Sequence, residues 1–323
     1  MKNYENELIV SQAPHMISPT SISHVMGYVI LALLPSLIAG TIIFGARALL
    51  LAFVCCFSCV LFEYLWNKIL KKPQTIADLS AVVTGLLLAL NVPVTLPFYM
   101  AIIGSLFAII IVKQFFGGLG HNFMNPALAA RAFLLASWGG AMTTFVEPGE
   151  AVHLFSNADV LTSATPLAIL KEGGSDLPYL WQMFVGNIGG SMGETSALAI
   201  LIGAAFLVYK KVISLNTPLS FLITLFVLGI IGGDNGLFHI LSGGVMLGAF
   251  FMATDYTTTP TTKKGQILFG VGCGLITFVI RKWGGYPEGV TYAILLMNVA
   301  TPLIDKYIRP NVFGKVKEVK ANE

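Results

Sequence analysis

Charged residues are scarce in this chain. Only 11% of its 323 residues are Asp, Glu, Lys or Arg, whereas 55% are hydrophobic. A soluble domain needs roughly a quarter charged residues to cover its surface. The mean hydropathy of +0.79 leads to the same conclusion. The composition therefore excludes an ordinary soluble protein and predicts a membrane protein whose surface is covered largely by lipid.

Cysteine and histidine are few, and neither residue type forms a ligand set. The four cysteines all lie inside apolar runs, at Cys55, Cys56, Cys59 and Cys273. Cys55 and Cys59 would share a helix face, but a metal site needs more convergent ligands than this. The five histidines are scattered, and the sequence has no P-loop, dinucleotide fingerprint or Ser-His-Asp order. We therefore predict no metal site and no catalytic triad.

Ten apolar segments are separated by short polar stretches. They lie at roughly 25–44, 48–66, 79–90, 96–112, 126–138, 195–209, 218–231, 237–253, 266–280 and 289–303. A helix needs roughly 20 apolar residues to cross the membrane. The third and fifth segments are shorter, which is typical of broken helices that their neighbours shield. The predicted fold is an all-α polytopic membrane protein with about ten transmembrane helices.

The positions of lysine and arginine predict the orientation, because cytoplasmic loops retain these residues. With the N-terminus inside, the outer side holds only Arg47, Lys171, Arg281 and Lys282. The cytoplasmic side then holds fourteen: Lys2, Lys68, Lys71, Lys72, Lys113, Lys210, Lys211, Lys263, Lys264, Lys306, Arg309, Lys315, Lys317 and Lys320. Both termini are therefore predicted to be cytoplasmic. The net charge of only +3 argues against a nucleic-acid partner.

The longest interruption divides the chain into five segments and five segments. Because each half has an odd number of segments, the second half starts on the opposite side of the membrane from the first. This arrangement predicts an inverted repeat of two five-helix halves. The predicted organisation is an N-terminal cytoplasmic segment, a first transmembrane half, an outer acidic loop, a second transmembrane half and a cytoplasmic tail. Their ranges are 1–24, 25–138, 139–194, 195–308 and 309–323.

Three polar residues stand out at the ends of apolar segments or within them. Asn125 followed by Pro126 is a strong signal for the start of a helix. The exposed backbone amides at that helix start could hold an anion or a polar ring of a ligand. Arg131 lies inside the fifth segment, where an ionisable residue needs a partner, water or a ligand. Asp255 closes the eighth segment in a run rich in threonine. The alternative for Asn125 is ordinary capping. For Arg131 it is a structural ion pair, and for Asp255 it is a polar helix end.

A polar stretch at 159–166, Asp-Val-Leu-Thr-Ser-Ala-Thr-Pro, lies in the outer loop. Its pattern predicts that Thr165 caps a short helix over 167–170, with Pro166 at the first position. The residue before a proline is held extended, which makes the Thr165 hydroxyl accessible to a modifying enzyme. A helix start also stabilises a nearby anion. Capping and modification of Thr165 are therefore compatible.

Several sequence blocks resemble one known family. They are Ser-Gln-Ala-Pro-His-Met-Ile-Ser-Pro at 11–19, Gly-Gly-Leu-Gly-His-Asn-Phe-Met-Asn-Pro-Ala-Leu-Ala-Ala-Arg-Ala-Phe at 117–133, Thr-Ser-Ala-Thr-Pro-Leu at 162–167 and the stretch 243–260. Through these blocks the chain resembles the D subunits of the Rnf ion-translocating electron-transport complexes, which are relatives of the B subunits of the sodium-pumping NADH:quinone reductases. Tyr256 departs from the pattern, since relatives often have proline there.

The resemblance implies a covalent flavin. In this family an Asp-x-x-Ser/Thr-Gly/Ser-Ala-Thr pattern marks a threonine that a flavin transferase links to FMN through a phosphoester. Asp159, Thr162, Ser163, Ala164 and Thr165 match that attachment motif, with Thr165 as the modified residue. The resemblance also implies inverted five-helix halves similar to urea-channel-type proteins.

The implied function is that of a membrane subunit of a ferredoxin:NAD-type oxidoreductase complex in the cytoplasmic membrane of a prokaryote. Such a protein relays electrons, coupled to Na⁺ or H⁺ transport, and acts only within its complex, which includes a second subunit with covalent FMN. A second, non-covalent flavin is a further expectation, with Asn125, Arg131 and Asp255 as candidate flavin-site or pathway residues. The alternatives are a channel or permease for a small polar solute and a structural scaffold.

Overall fold

The computed structural model describes residues 20–149, 162–174 and 177–308, and these are mostly helical. The first part of the chain forms five helices: α1 Ile22–Phe44, α2 Ala46–Ile69, α3 Ser80–Leu90, α4 Phe98–Leu106 and α5 Pro126–Ser137. A 3₁₀ turn over Ile76–Asp78 precedes α3, and α4 continues as a π-helix over Phe107–Gln114. These helices agree with the first five predicted segments, including the short third and fifth ones.

The region predicted as an outer loop contains short elements. They are α6 Gly139–Met142, β1 Phe145–Val146, β2 Thr162–Ser163, α7 Pro166–Lys171 and α8 Leu180–Val185. The two strands pair antiparallel, with Phe145 opposite Ser163. The chain then turns inward, and Ser191, Glu194 and Thr195 are all buried. The C-terminal end of the predicted outer loop over 139–194 therefore enters the protein interior.

The last part of the chain forms the remaining helices. They are α9 Ala197–Tyr209, α10 Asn216–Ile231, α11 Gly236–Leu241, α12 Val245–Leu247, α13 Lys263–Trp283 and α14 Val290–Tyr307. A π-helix over Gly248–Met252 extends α12. The prediction of one continuous segment at 237–253 is wrong, because the chain is interrupted between α11 and α12. Gly243 adopts a φ of +64° there, a left-handed conformation that favours glycine.

Within the described ranges, three helices are long and apolar enough to cross a membrane: α1, α2 and α13. The surface of α2 has the polarity expected in lipid. Its outer face exposes Phe53 and Phe57, whereas Glu63 is among the residues it buries. Soluble proteins usually bury aromatic side chains and expose carboxylates, so the reverse arrangement on α2 is consistent with a polytopic membrane protein.

The parts of the chain before and after the central region pack against each other through several helices. α1 contacts α9, and α5 contacts α14, while α2 packs on α4 and α10 packs on α13. A continuous apolar core joins them, with Leu33, Leu88, Phe221 and Phe269 all fully buried. The ends of α3 and α5 and the interruption before α12 meet in this interior, and these ends carry the polar residues described next.

Candidate functional site

Thr165 occupies the start of α7, as the sequence predicts. Its backbone is extended, with φ −70° and ψ 153°, and its hydroxyl oxygen accepts a hydrogen bond from the amide of Ala168 at 3.3 Å. Pro166 is the first helical residue. The proline ring holds the preceding residue extended for steric reasons. A threonine hydroxyl at the cap is expected because it accepts a hydrogen bond from a backbone amide that has no partner within the helix. The capping prediction at Thr165 is therefore confirmed.

The rest of the attachment motif surrounds Thr165 in the sequence. Asp159 lies outside the described residues. Thr162 and Ser163 form β2, and Ala164 is exposed. Ser163 lies tightly against Gly189, since a Cβ on that glycine would overlap the Ser163 hydroxyl oxygen. This close approach brings the motif strand onto the buried segment that precedes α9.

A pocket opens beside Thr165. Its walls are largely apolar, with Leu135, Phe145 and Ile188 among the lining residues. Arg131 lines the same pocket as Thr165, although the two residues are far apart in sequence. A hydroxyl at a helix start and apolar walls are the groups that suit an aromatic cofactor tethered through a phosphate. The residues present therefore fit a flavin attached at Thr165.

Arg131 is the centre of a buried ion network. It lies on α5 and is 7% exposed. One guanidinium nitrogen, Nη1, lies 2.6 Å from Glu194 Oε1 and donates to Asn91 Oδ1 at 3.1 Å. The other, Nη2, lies 2.6 Å from Glu288 Oε2. Of the alternatives open for Arg131, the structure contains the ion pair and also places the residue at the pocket beside Thr165.

The sequence predictions did not include Glu194 and Glu288 as site residues. Both carboxylates converge on the interruption before α12, where the Gly244 amide donates to Glu288 Oε1. A Cβ on Gly244 would lie 2.5 Å from Glu194 Oε1 and 2.8 Å from Glu288 Oε1, so only glycine fits there. Acidic side chains at the edges of apolar segments are the sequence signal that could have identified them.

Asn125 and Asp255 line a different pocket. Asn125 caps α5, and its side-chain oxygen accepts from the amides of Ala127 at 3.0 Å and Leu128 at 3.3 Å. The Asp255 carboxylate accepts from Thr257 at 3.1 Å and Thr258 at 3.2 Å. The four candidate residues therefore separate into two groups: Thr165 with Arg131, and Asn125 with Asp255.

A second buried ion pair borders the pocket of Asn125 and Asp255. Lys113 Nζ lies 2.8 Å from Glu63 Oε2 and donates to Ser80 Oγ at 2.6 Å. Lys113 is only 2% exposed and lies in the π-helix after α4. Lys113, predicted on the cytoplasmic side from its position at the end of an apolar segment, is therefore a buried residue paired with Glu63. π-Helical turns are frequent at functional sites.

Comparison with known proteins identifies relatives along nearly the whole chain. The family model "NQR2, RnfD, RnfE family" matches residues 9–314. The chain is 50% identical over 316 residues to the D subunit of the Na(+)-translocating ferredoxin:NAD(+) oxidoreductase complex of Acetobacterium woodii, with 97% of each chain covered. It is 44% identical to the D subunit of the proton-translocating ferredoxin:NAD(+) oxidoreductase complex of Clostridium ljungdahlii, covering 96% of this chain and 97% of that one.

A third relative is more distant. The chain is 38% identical over 329 residues to the D subunit of the ion-translocating oxidoreductase complex of Stutzerimonas stutzeri, covering 92% of this chain and 93% of that one. The resemblance drawn from the sequence blocks is thereby confirmed. With a family match that spans all the described residues and these identities over nearly full length, the chain belongs to the NQR2, RnfD, RnfE family.

Proposed function

We propose that this chain is a membrane subunit of an ion-translocating ferredoxin:NAD-type oxidoreductase complex, and that it relays electrons through FMN esterified to Thr165. One observation carries the proposal: the Thr165 side chain, at the start of α7, lines a pocket that Arg131 also lines. When bound, FMN supplies the capacity to accept and release one or two electrons. A covalent tether keeps such a group at one place at high effective concentration.

The residues around Thr165 have separate roles in this proposal. The first amides of α7 favour a negatively charged group near the Thr165 hydroxyl. Leu135, Phe145 and Ile188 provide apolar contact for an aromatic ring and reduce the access of water. Thr162, Ser163 and Ala164, together with Asp159, form the sequence that a flavin transferase recognises during maturation.

The pocket of Asn125 and Asp255 is the proposed site of a second, non-covalent flavin. Its lining combines apolar side chains such as Leu87 and Phe251 with amide, hydroxyl and carboxylate groups. Apolar walls with a few polar groups are typical of cofactor pockets. Asn122, another lining residue, has an amide nitrogen that can donate and an amide oxygen that can accept.

The proposed architecture has ten membrane-spanning or half-spanning helices in two inverted halves, with both termini cytoplasmic. Equivalent packing supports the repeat: α2 packs on α4 in the first half as α10 packs on α13 in the second. The proposed location is the cytoplasmic membrane of a prokaryote. Partners in the complex supply the ferredoxin and NAD sites, and one of them carries a second covalent FMN.

The coupling ion in this proposal is Na⁺ or H⁺, because the names of two relatives differ in this respect. The relative from Acetobacterium woodii is named Na(+)-translocating, and the relative from Clostridium ljungdahlii is named proton-translocating. Both share more than two fifths of their residues with this chain. Identity at this level therefore does not select the ion.

In-gel flavin fluorescence tests the proposal. The full-length chain is expressed with a flavin transferase, denatured and separated on a gel. We expect fluorescence on the wild-type polypeptide and none on Thr165→Ala. Thr143→Ala is the matched control, since Thr143 lines the same pocket but lies outside the motif. A wild-type chain without fluorescence would contradict the redox function and favour a channel or permease. Full turnover of a complex that contains Thr165→Ala would instead favour a scaffold.

A further inference from the structure

Lys171 is the only lysine or arginine between residues 139 and 194. It is the last residue of α7, the helix whose N-cap is Thr165. A basic side chain near the end of a helix commonly contacts the last carbonyls of its own helix. Lys171 Nζ instead donates to the carbonyls of Gly284 and Tyr286, and the second of these distances is 2.9 Å. The lysine therefore joins α7 to the loop between α13 and α14, which lies 113 to 115 positions further along the chain.

The loop that Lys171 contacts forms part of the wall of the Thr165 pocket. Tyr286 and Glu288 both line this pocket. The Tyr286 ring stacks on the Tyr292 ring of α14, with 5.6 Å between the ring centroids and 28° between the planes. This stacking limits the orientations of the Tyr286 side chain. One wall of the pocket therefore contains an aromatic residue whose backbone is held by Lys171.

Other contacts hold the first turn of α7. A Cβ on Gly243 would lie 2.9 Å from Leu167 Cδ1, so these two residues are in close contact. Leu167 also packs in a small buried cluster with Met183 and Phe238. A helix of six residues is too short to be stable without tertiary contacts. Lys171 supplies a contact at the last residue, so both ends of α7 are fixed to the rest of the protein.

Two aromatic residues that line the pocket are fixed relative to Thr165 by different means. Phe145 lies on β1, which pairs with the motif strand β2, so its position follows from the local sheet. Tyr286 lies on a distant loop, which Lys171 joins to α7. We infer that Lys171 is a positioning residue that holds α7 at a fixed distance from Tyr286, and that the isoalloxazine ring of a flavin on Thr165 contacts the Tyr286 side chain.

This role of Lys171 rests on the proposed function, because it concerns the contact of the flavin ring. A link through a phosphate leaves several rotatable bonds between Thr165 and the ring, so the link alone does not fix the ring. Offset stacking on an aromatic side chain does fix it. A group that is already ordered reacts with its partner without losing that freedom again. Lys171 acts through the loop at 284–288 and is not a catalytic residue.

Hydrogen exchange of the full-length chain tests the attachment of α7 independently of flavin. Lys171→Met removes both hydrogen bonds to the loop, so the amides of α7 should exchange about fivefold faster. The Gly284 amide, which donates to Ile280 at 2.8 Å, should also exchange faster, because the Gly284 carbonyl loses its contact with the lysine. Lys282→Met is the matched control, since this exposed lysine also donates to a backbone carbonyl, that of Gly232 at 3.1 Å. In the control, exchange in α7 should be unchanged.

Native flavin fluorescence tests the position of the ring. A tyrosine in contact with an isoalloxazine ring quenches its fluorescence by transient electron donation to the excited ring. When the chain is expressed with a flavin transferase, Lys171→Met and Tyr286→Leu should each raise the fluorescence of the folded protein severalfold. Lys171→Arg keeps donors for the two carbonyls and should restore most of the quenching. After denaturation all four chains should fluoresce equally, because the attachment of flavin to Thr165 does not require Lys171.

The double variant shows whether Lys171 acts through Tyr286. Lys171→Met combined with Tyr286→Leu should fluoresce no more than Tyr286→Leu alone, because coupled residues give non-additive effects. Unchanged native fluorescence in a Lys171→Met chain that carries flavin, or unchanged exchange in α7, would overturn the inference and leave the proposed function intact. A wild-type chain without flavin would overturn the proposed function, and the exchange of α7 would then decide alone whether Lys171 fixes this helix.

Discussion

Arg131 Nη2 lies 2.6 Å from Glu288 Oε2, and this buried ion pair joins α5 to the loop before α14. The two residues are 157 positions apart in the chain. Because Arg131 also pairs with Glu194, a single guanidinium holds α5 to the segment before α9 and to the loop before α14. The contact of α5 with these two segments therefore depends on this one side chain.

Replacement of Arg131 by methionine should be strongly destabilising. The change leaves the buried Glu194 and the half-buried Glu288 without their cation. Removal of one partner from a buried ion pair costs about 3–5 kcal/mol. Arg131→Lys should be less severe, because it keeps the charge but loses the planar fork that reaches both carboxylates. Thermal unfolding of the detergent-solubilised protein measures both effects.

An exposed ion pair provides the control for Arg131. Lys282 Nζ lies 3.0 Å from Asp234 Oδ2, with 39% of the lysine side chain exposed. Exposed pairs contribute about 0–1 kcal/mol, so Lys282→Met should change the melting temperature little. Equal melting temperatures for Arg131→Met and Lys282→Met would show that the buried network does not hold α5 to these two segments.

Thr165→Asn should separate helix capping from flavin attachment. Asparagine is a good N-cap, so the start of α7 should keep its stability, whereas Thr165→Ala should lose about 1 kcal/mol. Asparagine has no hydroxyl to esterify, so both variants should lack flavin fluorescence in a denaturing gel. Thr165→Ser retains the cap and the hydroxyl and should restore part of the signal. Flavin on the Thr165→Asn chain would place the attachment at another residue.

Features with a local cause were predictable from the sequence. The caps at Asn125 and Thr165 follow from the residue types around each proline, and both occur in the structure. The short third and fifth segments follow from the length of their apolar runs. Three of the family blocks fall within the described residues and come from separate regions of the chain. Each of these predictions needs only neighbouring residues.

Features that depend on distant partners were not predictable in the same way. Lys113, Arg47 and Arg281 were predicted on one or the other side of the membrane by their positions at the ends of apolar runs, but their burial was not predicted. A single sequence shows that a cation ends an apolar run, and it does not show whether a carboxylate or a carbonyl meets that cation across the fold. Glu288 was missed for the same reason, since its partner Arg131 lies on another helix.

Gly203→Ala should disturb the contact between α1 and α9. A Cβ at Gly203 would overlap the Ala32 carbonyl oxygen, which is backbone and cannot rotate away. Small residues permit this close approach of helices in membranes, and overpacking typically costs about 1–3 kcal/mol. Gly27→Ala is the control, because a Cβ there meets nothing within 4 Å. Alanine at Gly27 should be neutral or stabilising in the helix. A melting temperature for Gly203→Ala equal to that of Gly27→Ala would contradict the close packing.

The Lys113–Glu63 pair should show strong coupling in a double-mutant cycle. Lys113→Met leaves Glu63 buried and uncompensated, although Thr75 still donates to Glu63 Oε1 at 2.5 Å. Glu63→Leu likewise leaves the Lys113 ammonium with only the Ser80 hydroxyl. Each single change should cost about 3–5 kcal/mol, because an unpaired charge remains in the interior.

The double variant of Lys113 and Glu63 should be more stable than either single variant, because it removes both buried charges together. Thermal unfolding of the four proteins gives the coupling energy, which should exceed roughly 1 kcal/mol for side chains in contact. Additive effects would mean that water screens the two charges from each other. In that case the polar side of the Asn125 and Asp255 pocket, which Lys113 also lines, would be open to solvent. A large coupling energy would instead fit a pocket that excludes water around a bound aromatic ring.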